Sequence, residues 1–378
     1  MRAEPTVPAE ALAAIRAPLG EGAQAIDAPM VQPLGLLLEL AGEALRARLF
    51  VVQAEGGEEM CLRPDFTVPV TRLHLDCGAV TGRYYYEGKV FRSSGTDQDL
   101  PEEFLQVGLE RFDGPQALAR EADVDVTVRA WQASVAGGRG DLLLWLGDVG
   151  LFQAFVDGLD LAPSLASRLK RAVSRPRLLQ AELARAGRES LGPGTSALAD
   201  LLAGRGSDEA AALLEEVWTL AGIEPVGARS SADIAQRLVR RGQDAQAPTL
   251  SLDQADRLRR FLAVADTPEV ALGLLRDIAG SKDDAYLSAL REWEARLDAL
   301  AAAGVPRDAM MLATALGHTF EYYNGLTFEV RATALGADRP VAVGGRYDGL
   351  PARLGGDAGT QAVGCVVRPW RAWQGGES

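Results

Sequence analysis

The segments GRYYYEGKVFR (residues 82–92) and EFLQVGLERFD (residues 103–113) predict two antiparallel strands joined by a polar loop. Because side chains alternate across a strand, the apolar residues at 105, 107 and 109 share one face of the second strand. Gln106 and Glu110 lie on its other face. We therefore expect one face of this pair to join a core and the other to expose an amide and a carboxylate.

The regions on either side of this pair predict the same class of structure. Residues 33–49 have apolar side chains at helical spacing, and residues 49–63 contain two strand candidates around a Gly-Gly turn. A helix is expected over residues 115–136. Further strands are expected at residues 141–146, 309–312, 325–331, 340–343 and 362–367. These patterns indicate an α+β fold with an antiparallel sheet flanked by helices.

The middle of the chain has a different character. Residues 161–303 predict helix after helix, interrupted by Gly-Pro and Gly-Arg-Gly turns, with hardly any strand candidates. We interpret them as a mostly helical insertion or second domain, and residues 1–160 with 304–378 as the core domain. The length of 378 residues agrees with this division, since a domain takes about 150 residues.

Composition excludes several classes of function. A formal net charge of −13 repels a phosphate backbone, so we expect no nucleic-acid binding. No apolar run approaches the roughly 18 residues of a membrane span, and Cys61, Cys77 and Cys365 are too far apart for a CxxC motif. The chain has only two histidines, His74 and His318, and no metal-binding cluster. We therefore expect a cytoplasmic protein without a metal site or cofactor.

Four short segments concentrate polar residues on strands or at strand ends. Each has a plain structural explanation by itself, as an exposed sheet face, a turn or a hydrogen-bonded core tyrosine. The segments are RPDFT (residues 63–67), YEGKVFR (86–92), FLQVGLE (104–110) and HTFEYYNG (318–325). Together they would surround one concave face with acceptors and rings, which suits a small ligand carrying an ammonium group and a hydrogen-bonding ring. The residues expected there are Asp65, Thr67, Gln106, Glu110, Tyr322 and Tyr323.

Taken in order, these segments resemble the catalytic core of the class II aminoacyl-tRNA synthetases, and specifically the histidyl-tRNA synthetase family. APMVQP (residues 28–33) resembles motif 1, and YEGKVFR with EEFLQVGLE (102–110) resembles motif 2. The RPDFT segment is similar to an RPEGT signature and EYYNG (321–325) to a histidine-specific segment. GGRYDGL with AVGCVVRPWR (344–350 and 362–371) resembles the motif 3 region. The resemblance covers residues 8–160 and 305–371.

The resemblance implies that an amino-acid pocket is retained. Asp65, Thr67 and Gln106 match positions that receive the α-ammonium group of histidine, and Glu110 and Tyr323 match positions near its imidazole. Three further residues match the same region: Tyr322, a pocket tyrosine at Tyr347, and the motif 2 arginine at Arg92. L-Histidine is therefore the implied ligand.

The machinery for amino-acid activation differs from that of the synthetases. His318 stands where the family has an arginine that contacts the substrate, and Arg371 still matches the motif 3 arginine. The motif 2 loop carries Glu102 and three more carboxylates and no Lys or Arg between residues 93 and 110, which is unfavourable beside a triphosphate. Arg368 and Trp370 replace a glycine and a glutamate. The sequence ends seven residues after Arg371, so we expect the anticodon-binding domain to be missing.

This set of departures is typical of a paralogous family, the regulatory subunits of ATP phosphoribosyltransferase. That resemblance implies a non-catalytic chain that activates a short-form catalytic subunit and lets histidine regulate it, as a homodimer, built through the motif 1 region, within a hetero-octamer. Two alternatives stay open: an enzyme that still activates histidine with ATP for an unusual acceptor, and a histidine sensor with a different partner. Whether histidine would occupy this pocket or the interface with the catalytic chain also stays open.

Overall fold

The chain divides into two units. A computed structural model describes residues 2–41, 43–53, 56–95, 100–173, 175–187, 247–280, 283–316 and 322–376 and isolated positions between 209 and 220. One unit comprises Met1–Gly158 and Arg260–Ser378, and the other comprises Leu159–Arg259. The strands of the described residues are β1 (Gln24–Ala25), β2 (Val31–Pro33), β3 (Val51–Gln53), β4 (Glu59–Leu62), β5 (Gly82–Phe91), β6 (Glu103–Asp113), β7 (Leu142–Asp148), β8 (Ala265–Asp266), β9 (Met310–Ala313), β10 (Leu326–Ala332), β11 (Ala342–Arg346) and β12 (Gln361–Val367).

Helices cover the sheet of the first unit and make up the described part of the second. They are α1 (Ala9–Gly20), α2 (Leu34–Ala41), α3 (Thr67–Asp76), α4 (Ala119–Ala136), α5 (Val149–Gly158), α6 (Pro163–Ala172), α7 (Pro176–Ala184), α8 (Leu252–Leu262), α9 (Pro268–Ile278), α10 (Asp284–Ala302), α11 (Gly349–Arg353) and α12 (Pro369–Ala372). Short 3₁₀ helices lie at Glu43–Arg48 and Arg307–Ala309. None of the helices in the described ranges is long and apolar enough to cross a membrane.

Nine of the described strands form one sheet in the order β1-β5-β6-β12-β11-β10-β7-β9-β8. The central pairs are antiparallel, and β1–β5 and β7–β9 are parallel. Strands from before and after the middle of the chain therefore meet at β6–β12 and β7–β10. The α+β class, with a largely antiparallel sheet flanked by helices, is confirmed.

The β5–β6 pair has the predicted antiparallel pairing but not the predicted exposure. Tyr86 lies opposite Gly108, where a Cβ atom would overlap the tyrosine ring, so the glycine makes room for that ring. Gln106 and Glu110 are only 2% and 1% exposed, whereas the sequence analysis expected their face to be open to solvent. Residues distant in the sequence cover it, Tyr347 among them.

A buried ion-pair network fixes the helices that pack on this sheet. Asp123 of α4 accepts hydrogen bonds from Arg346 Nε at 2.8 Å and from Arg296 Nη2 of α10 at 3.0 Å. Arg296 also lies 3.7 Å from Asp148, whose carboxylate accepts a hydrogen bond from the Trp293 indole at 3.1 Å. Because each buried charge has an opposite charge beside it, the network ties α4, α10, β7 and β11 together.

The insertion ends earlier than the sequence analysis expected. Helical periodicity predicts an insertion over residues 161–303, but residues 260–303 belong to the first unit. The reason is aromatic packing: the Phe261 and Tyr286 rings lie 4.4 and 5.4 Å from the ring of Phe155 on α5. Helical periodicity alone gave no sign that these helices return to the core.

The unit Leu159–Arg259 has a core of leucines from α6 and α7, including Leu165, Leu169 and Leu179. Arg168 joins the two helices through paired hydrogen bonds of 3.1 Å to Glu182.

A separate three-stranded sheet follows the order β2-β4-β3. The turn before β4 contains Gly56 and Gly57, both with positive φ, as expected for the predicted hairpin turn. All three residues of β3 are exposed, and Val51 and Val52 are 47% and 39% accessible. An apolar strand with both faces open is unusual in an isolated soluble chain.

Candidate functional site

The first unit contains a cavity of about 320 Å³ on the sheet beside the N-terminus of α3. Seven of the residues predicted from sequence line it: Asp65, Thr67, Arg92, Gln106, Tyr322, Tyr323 and Arg371. Residues from four of the predicted segments therefore meet at one place. A volume near the lower end of small-molecule sites suits a ligand of amino-acid size.

Asp65 supplies the buried negative charge of this cavity. It lies between β4 and α3, and backbone N–H groups of Thr67 and Val68 donate to its carboxylate. Its other oxygen, Oδ1, is buried and has no hydrogen-bond partner among the described residues. Burial raises the pKa of Asp65, and the nearby Arg92 guanidinium opposes that effect. A cationic ligand group would satisfy both the charge and the open acceptor.

Gln106 adds a second open acceptor. Its Oε1 atom is buried and has no partner within the described part of the chain. Gln106 stands on the cavity side of β6, opposite Gly88. Buried side-chain acceptors are nearly always hydrogen-bonded, so two open ones on one cavity indicate that a donor group of a ligand belongs there.

Glu110 lies behind the cavity wall rather than on it. Its carboxylate accepts hydrogen bonds from Thr67 Oγ1 at 2.9 Å, from the Tyr86 hydroxyl at 3.2 Å and from the Tyr347 hydroxyl. Burial raises its pKa to about 7, although the bonds from Tyr347 and Thr67 lower it. Gly364 lies opposite Glu110 on β12, where any Cβ atom would overlap the carboxylate.

Three tyrosines form the aromatic part of the site. The ring of Tyr322 lies 4.9 Å from that of Tyr323 and 6.0 Å from that of Tyr347. Tyr322 and Tyr323 line the cavity, whereas Tyr347 is buried beside Glu110. Burial raises the pKa of all three hydroxyls, so they are neutral donors at physiological pH. Neutral hydroxyls and ring faces suit an imidazole ring.

Arginines line the remaining part of the cavity. Arg92 Nε donates to the Pro64 carbonyl at 2.7 Å, and Arg371 Nη1 donates to the Pro340 carbonyl at 3.1 Å. Arg368 pairs with Glu4, and its guanidinium lies 3.5 Å above the centre of the Phe104 ring. Burial, followed by the charge of Arg371, lowers the pKa of Arg368 to about 9. These three arginines are thus bonded to groups of the protein itself.

One further predicted position lies outside the cavity, and another is not among the described residues. Glu102 is outside the cavity and accepts a hydrogen bond from the backbone N–H of Arg2 at 3.1 Å, which contributes most to lowering its pKa. His318 lies outside the described residues. The role proposed for His318 therefore stays a prediction.

Sequence reasoning missed several lining residues, including Arg48, Phe104 and Glu329. Phe104 could have been found, because it shares a strand face with Gln106, two residues away. Arg48 and Glu329 lie outside the four polar segments, and no local pattern marked them. Arg368 was noted only as a departure from motif 3.

Comparison with known proteins agrees with the resemblance seen in the sequence. The sequence profile described as histidyl-tRNA synthetase matches residues 15–226 and 229–369, including the middle region that motif comparison could not align. A protein of Brucella anthropi called ATP phosphoribosyltransferase regulatory subunit is 33% identical over 351 residues, which is 91% of each chain. A protein of the same name from Brucella ovis is 33% identical over 347 residues, again 91% of each chain.

Solved structures show the same fold. A crystal structure described as an ATP phosphoribosyltransferase regulatory subunit/histidyl-tRNA synthetase from Bacillus halodurans has a TM-score of 0.66 and 21% identity, over 100% of this chain and 82% of that one. A histidyl-tRNA synthetase from a Nostoc species has a TM-score of 0.60 and 16% identity, over 96% of this chain and 69% of that one. At these identities the likeness concerns the fold alone.

Proposed function

We propose a function from one premise: this chain belongs to the histidyl-tRNA synthetase family and, within it, to the ATP phosphoribosyltransferase regulatory subunits. We infer that it is a non-catalytic regulatory subunit in the cytoplasm. It would join a short-form catalytic subunit in the first step of histidine biosynthesis and carry the site at which histidine regulates that step. The observation that supports this most is 33% identity to a curated regulatory subunit across 91% of both chains. The transferase chemistry would belong to the partner.

The cavity supports L-histidine as the regulatory ligand. The open Oδ1 of Asp65 and Oε1 of Gln106 would accept from the α-ammonium group, and a carboxylate paired with a desolvated ammonium makes a strong charge-assisted hydrogen bond. The tyrosine pair would contact the imidazole ring. Glu110 would act through the hydroxyl of Thr67, since it lies behind the wall.

The aminoacylation activity of the synthetases would be absent. The family arginine is replaced by His318, and residues 94–103 carry four carboxylates and no Lys or Arg to hold a triphosphate. Transfer of the adenylyl group from ATP to a carboxylate, with release of pyrophosphate, needs positioned cations to stabilise the charge of the transition state. A chain that retains the amino-acid pocket without that set can bind histidine without activating it.

A homodimer built through the motif 1 region is part of the proposal. Four large apolar side chains of this region are between 39% and 47% exposed: Met30 beside β2, Val31 on β2, and Val51 and Val52 on β3. They lie on the small sheet that contains residues of the motif 1 segment. A second copy would cover them, and two such dimers with four catalytic chains would make the hetero-octamer.

Reconstitution with the short-form catalytic subunit tests the role. We expect the two purified chains to form a complex by size-exclusion chromatography, with a gain in transferase rate and inhibition by histidine. The proposal fails if mixing gives neither a complex nor a change in rate.

Calorimetry tests the ligand. Histidine should bind the wild type, and Glu110→Ala should weaken binding, because the Thr67 and Tyr86 hydroxyls lose their acceptor. Glu292→Ala, which changes an exposed carboxylate on α10, serves as the control. Unchanged affinity in Glu110→Ala would place the histidine site elsewhere, such as the interface with the catalytic chain.

A second candidate is an enzyme that still activates histidine for an unusual acceptor. Its support is the retention of Arg92 and Arg371 on the wall of the same cavity. Histidine-dependent exchange of pyrophosphate into ATP separates the two. Robust exchange would refute the non-catalytic assignment, and exchange no higher than background would refute the alternative.

A further inference from the structure

Arg368 and Phe104 form a stacked pair inside the cavity. Both residues line it, and the guanidinium carbon lies 3.5 Å from the centre of the phenylalanine ring. That separation is direct van der Waals contact, so no third group fits between them. The face of the ring under Arg368 is therefore filled by the protein itself.

The N-terminal segment holds the guanidinium in this position. Glu4 pairs with Arg368 through Nη2, and the Glu4 backbone N–H donates to the Glu103 carbonyl at 2.8 Å. The carbonyl of Arg2 accepts from the backbone N–H groups of Glu102 at 2.8 Å and Glu103 at 3.0 Å. Because the backbone around Glu4 is fixed to the start of β6, the carboxylate is a positioned partner.

Four arginines line the cavity together with three carboxylates, and the arginines would attract an anionic ligand. Arg48, Arg92 and Arg371 line the cavity together with Arg368, and clustered guanidinium groups attract phosphates. A purine ring would in turn gain from an aromatic face, because bases stack on phenylalanine. The occupied face of Phe104 leaves no room for such a ring, so the exclusion that Arg368 provides would be steric.

We propose that Arg368, held by Glu4, is a specificity-determining residue that fills the stacking face of Phe104 and restricts the cavity to a free amino acid, excluding purine nucleotides. This inference rests on the proposed function, because it assumes that an amino acid is the ligand of the cavity. It goes beyond that function by assigning the exclusion of purine nucleotides to the side chain of Arg368.

Titration of the full-length chain with AMP and with L-histidine, each by calorimetry, tests the role of Arg368. The wild type should bind histidine and give no measurable heat with AMP. Arg368→Ala should gain AMP binding at least about tenfold tighter than the wild-type limit, as expected from one base stacking on an aromatic ring. Arg120→Ala, at an exposed arginine of α4, is the matched control and should behave as the wild type.

Glu4→Gln gives a second, milder perturbation that keeps the arginine. Without the ion pair the guanidinium can leave the ring, so AMP affinity should rise by less than in Arg368→Ala. If Arg368→Ala does not fold, as judged by its thermal melt, Glu4→Gln carries the test.

The two proposals fail in different ways. AMP binding by the wild type, or no gain of AMP binding in a folded Arg368→Ala that still binds histidine, overturns the role of Arg368. A gain of AMP binding in Arg368→Ala while the wild type ignores histidine supports the role of Arg368 in closing the stacking face and refutes histidine as the ligand.

Discussion

Replacing Glu110 by glutamine should make the stability of the chain less dependent on pH. Burial raises the pKa of this carboxyl from 4.5 to about 7 in the folded chain. Between those pH values the folded state binds more protons than the unfolded state, so the wild type loses stability as the pH rises from 4.5 to about 7. At about 1.4 kcal/mol per pKa unit, the loss reaches at most about 3.5 kcal/mol above pH 7.

Glutamine has nearly the same shape and carries no titratable proton. Changes in its hydrogen bonds with Thr67, Tyr86 and Tyr347 alter the free energy of unfolding by an amount that does not depend on pH. The free energy of unfolding of Glu110→Gln relative to wild type should therefore rise by about 2 to 3 kcal/mol between pH 5 and pH 8.5. Urea unfolding without ligand, followed by tryptophan fluorescence, measures it, and five of the six tryptophans lie outside residues 159–259.

Glu292→Gln, at an exposed carboxylate, should show no such change and serves as the control. A stability difference between Glu110→Gln and wild type that is constant from pH 5 to pH 8.5 would refute the reasoning. It would mean that Glu110 ionises in the folded chain as readily as in the unfolded chain, and that the cavity wall is not desolvated.

Three further predictions concern the ligand, the dimer and the core. Asp65→Asn should lower histidine affinity at least about tenfold in calorimetry, because the ammonium group loses its charged partner; unchanged affinity would move the ligand elsewhere. Val52→Glu should convert the dimer to monomers in sedimentation experiments, whereas Val80→Glu, at a position 71% exposed outside the small sheet, should not. Asp123→Ala should cost about 3–5 kcal/mol of stability, since it leaves a buried guanidinium of Arg346 without its main partner; a melting temperature equal to that of wild type would contradict this.

The sequence predicted the features of the fold that depend on local patterns. Alternation in residues 82–92 and 103–113 marks β5 and β6 because a strand repeats every two residues. The two-residue strands β1 and β8 have no such pattern and form only because a longer strand lies beside them. The end of the insertion was misplaced for a similar reason, since only contact with Phe155 shows that Phe261 returns to the core.

The sequence predicted which residues gather at the candidate site better than it predicted which of them face the cavity. Motif resemblance brought Asp65, Gln106 and Tyr323 to one cavity. It did not show that Glu110 stands behind the wall, because the partner that holds it there, Tyr347, is 237 positions away in the sequence. Arg368 was visible only as a departure, since its meaning depends on stacking with Phe104.

The buried acceptors of the cavity suit the binding of a cationic group. Asp65 keeps an open, buried oxygen and a raised pKa, so an entering ammonium group relieves a penalty that the empty fold carries. That binding energy can regulate an assembly only if the ligand binds two of its states unequally. Asp65 lies in the short connection between β4 and α3, and β4 pairs with β3, the strand with the exposed valines. A ligand that tightens this connection would act on the sheet through which we propose that the dimer forms. A bound histidine would in this way influence the assembly without any chemistry in the cavity.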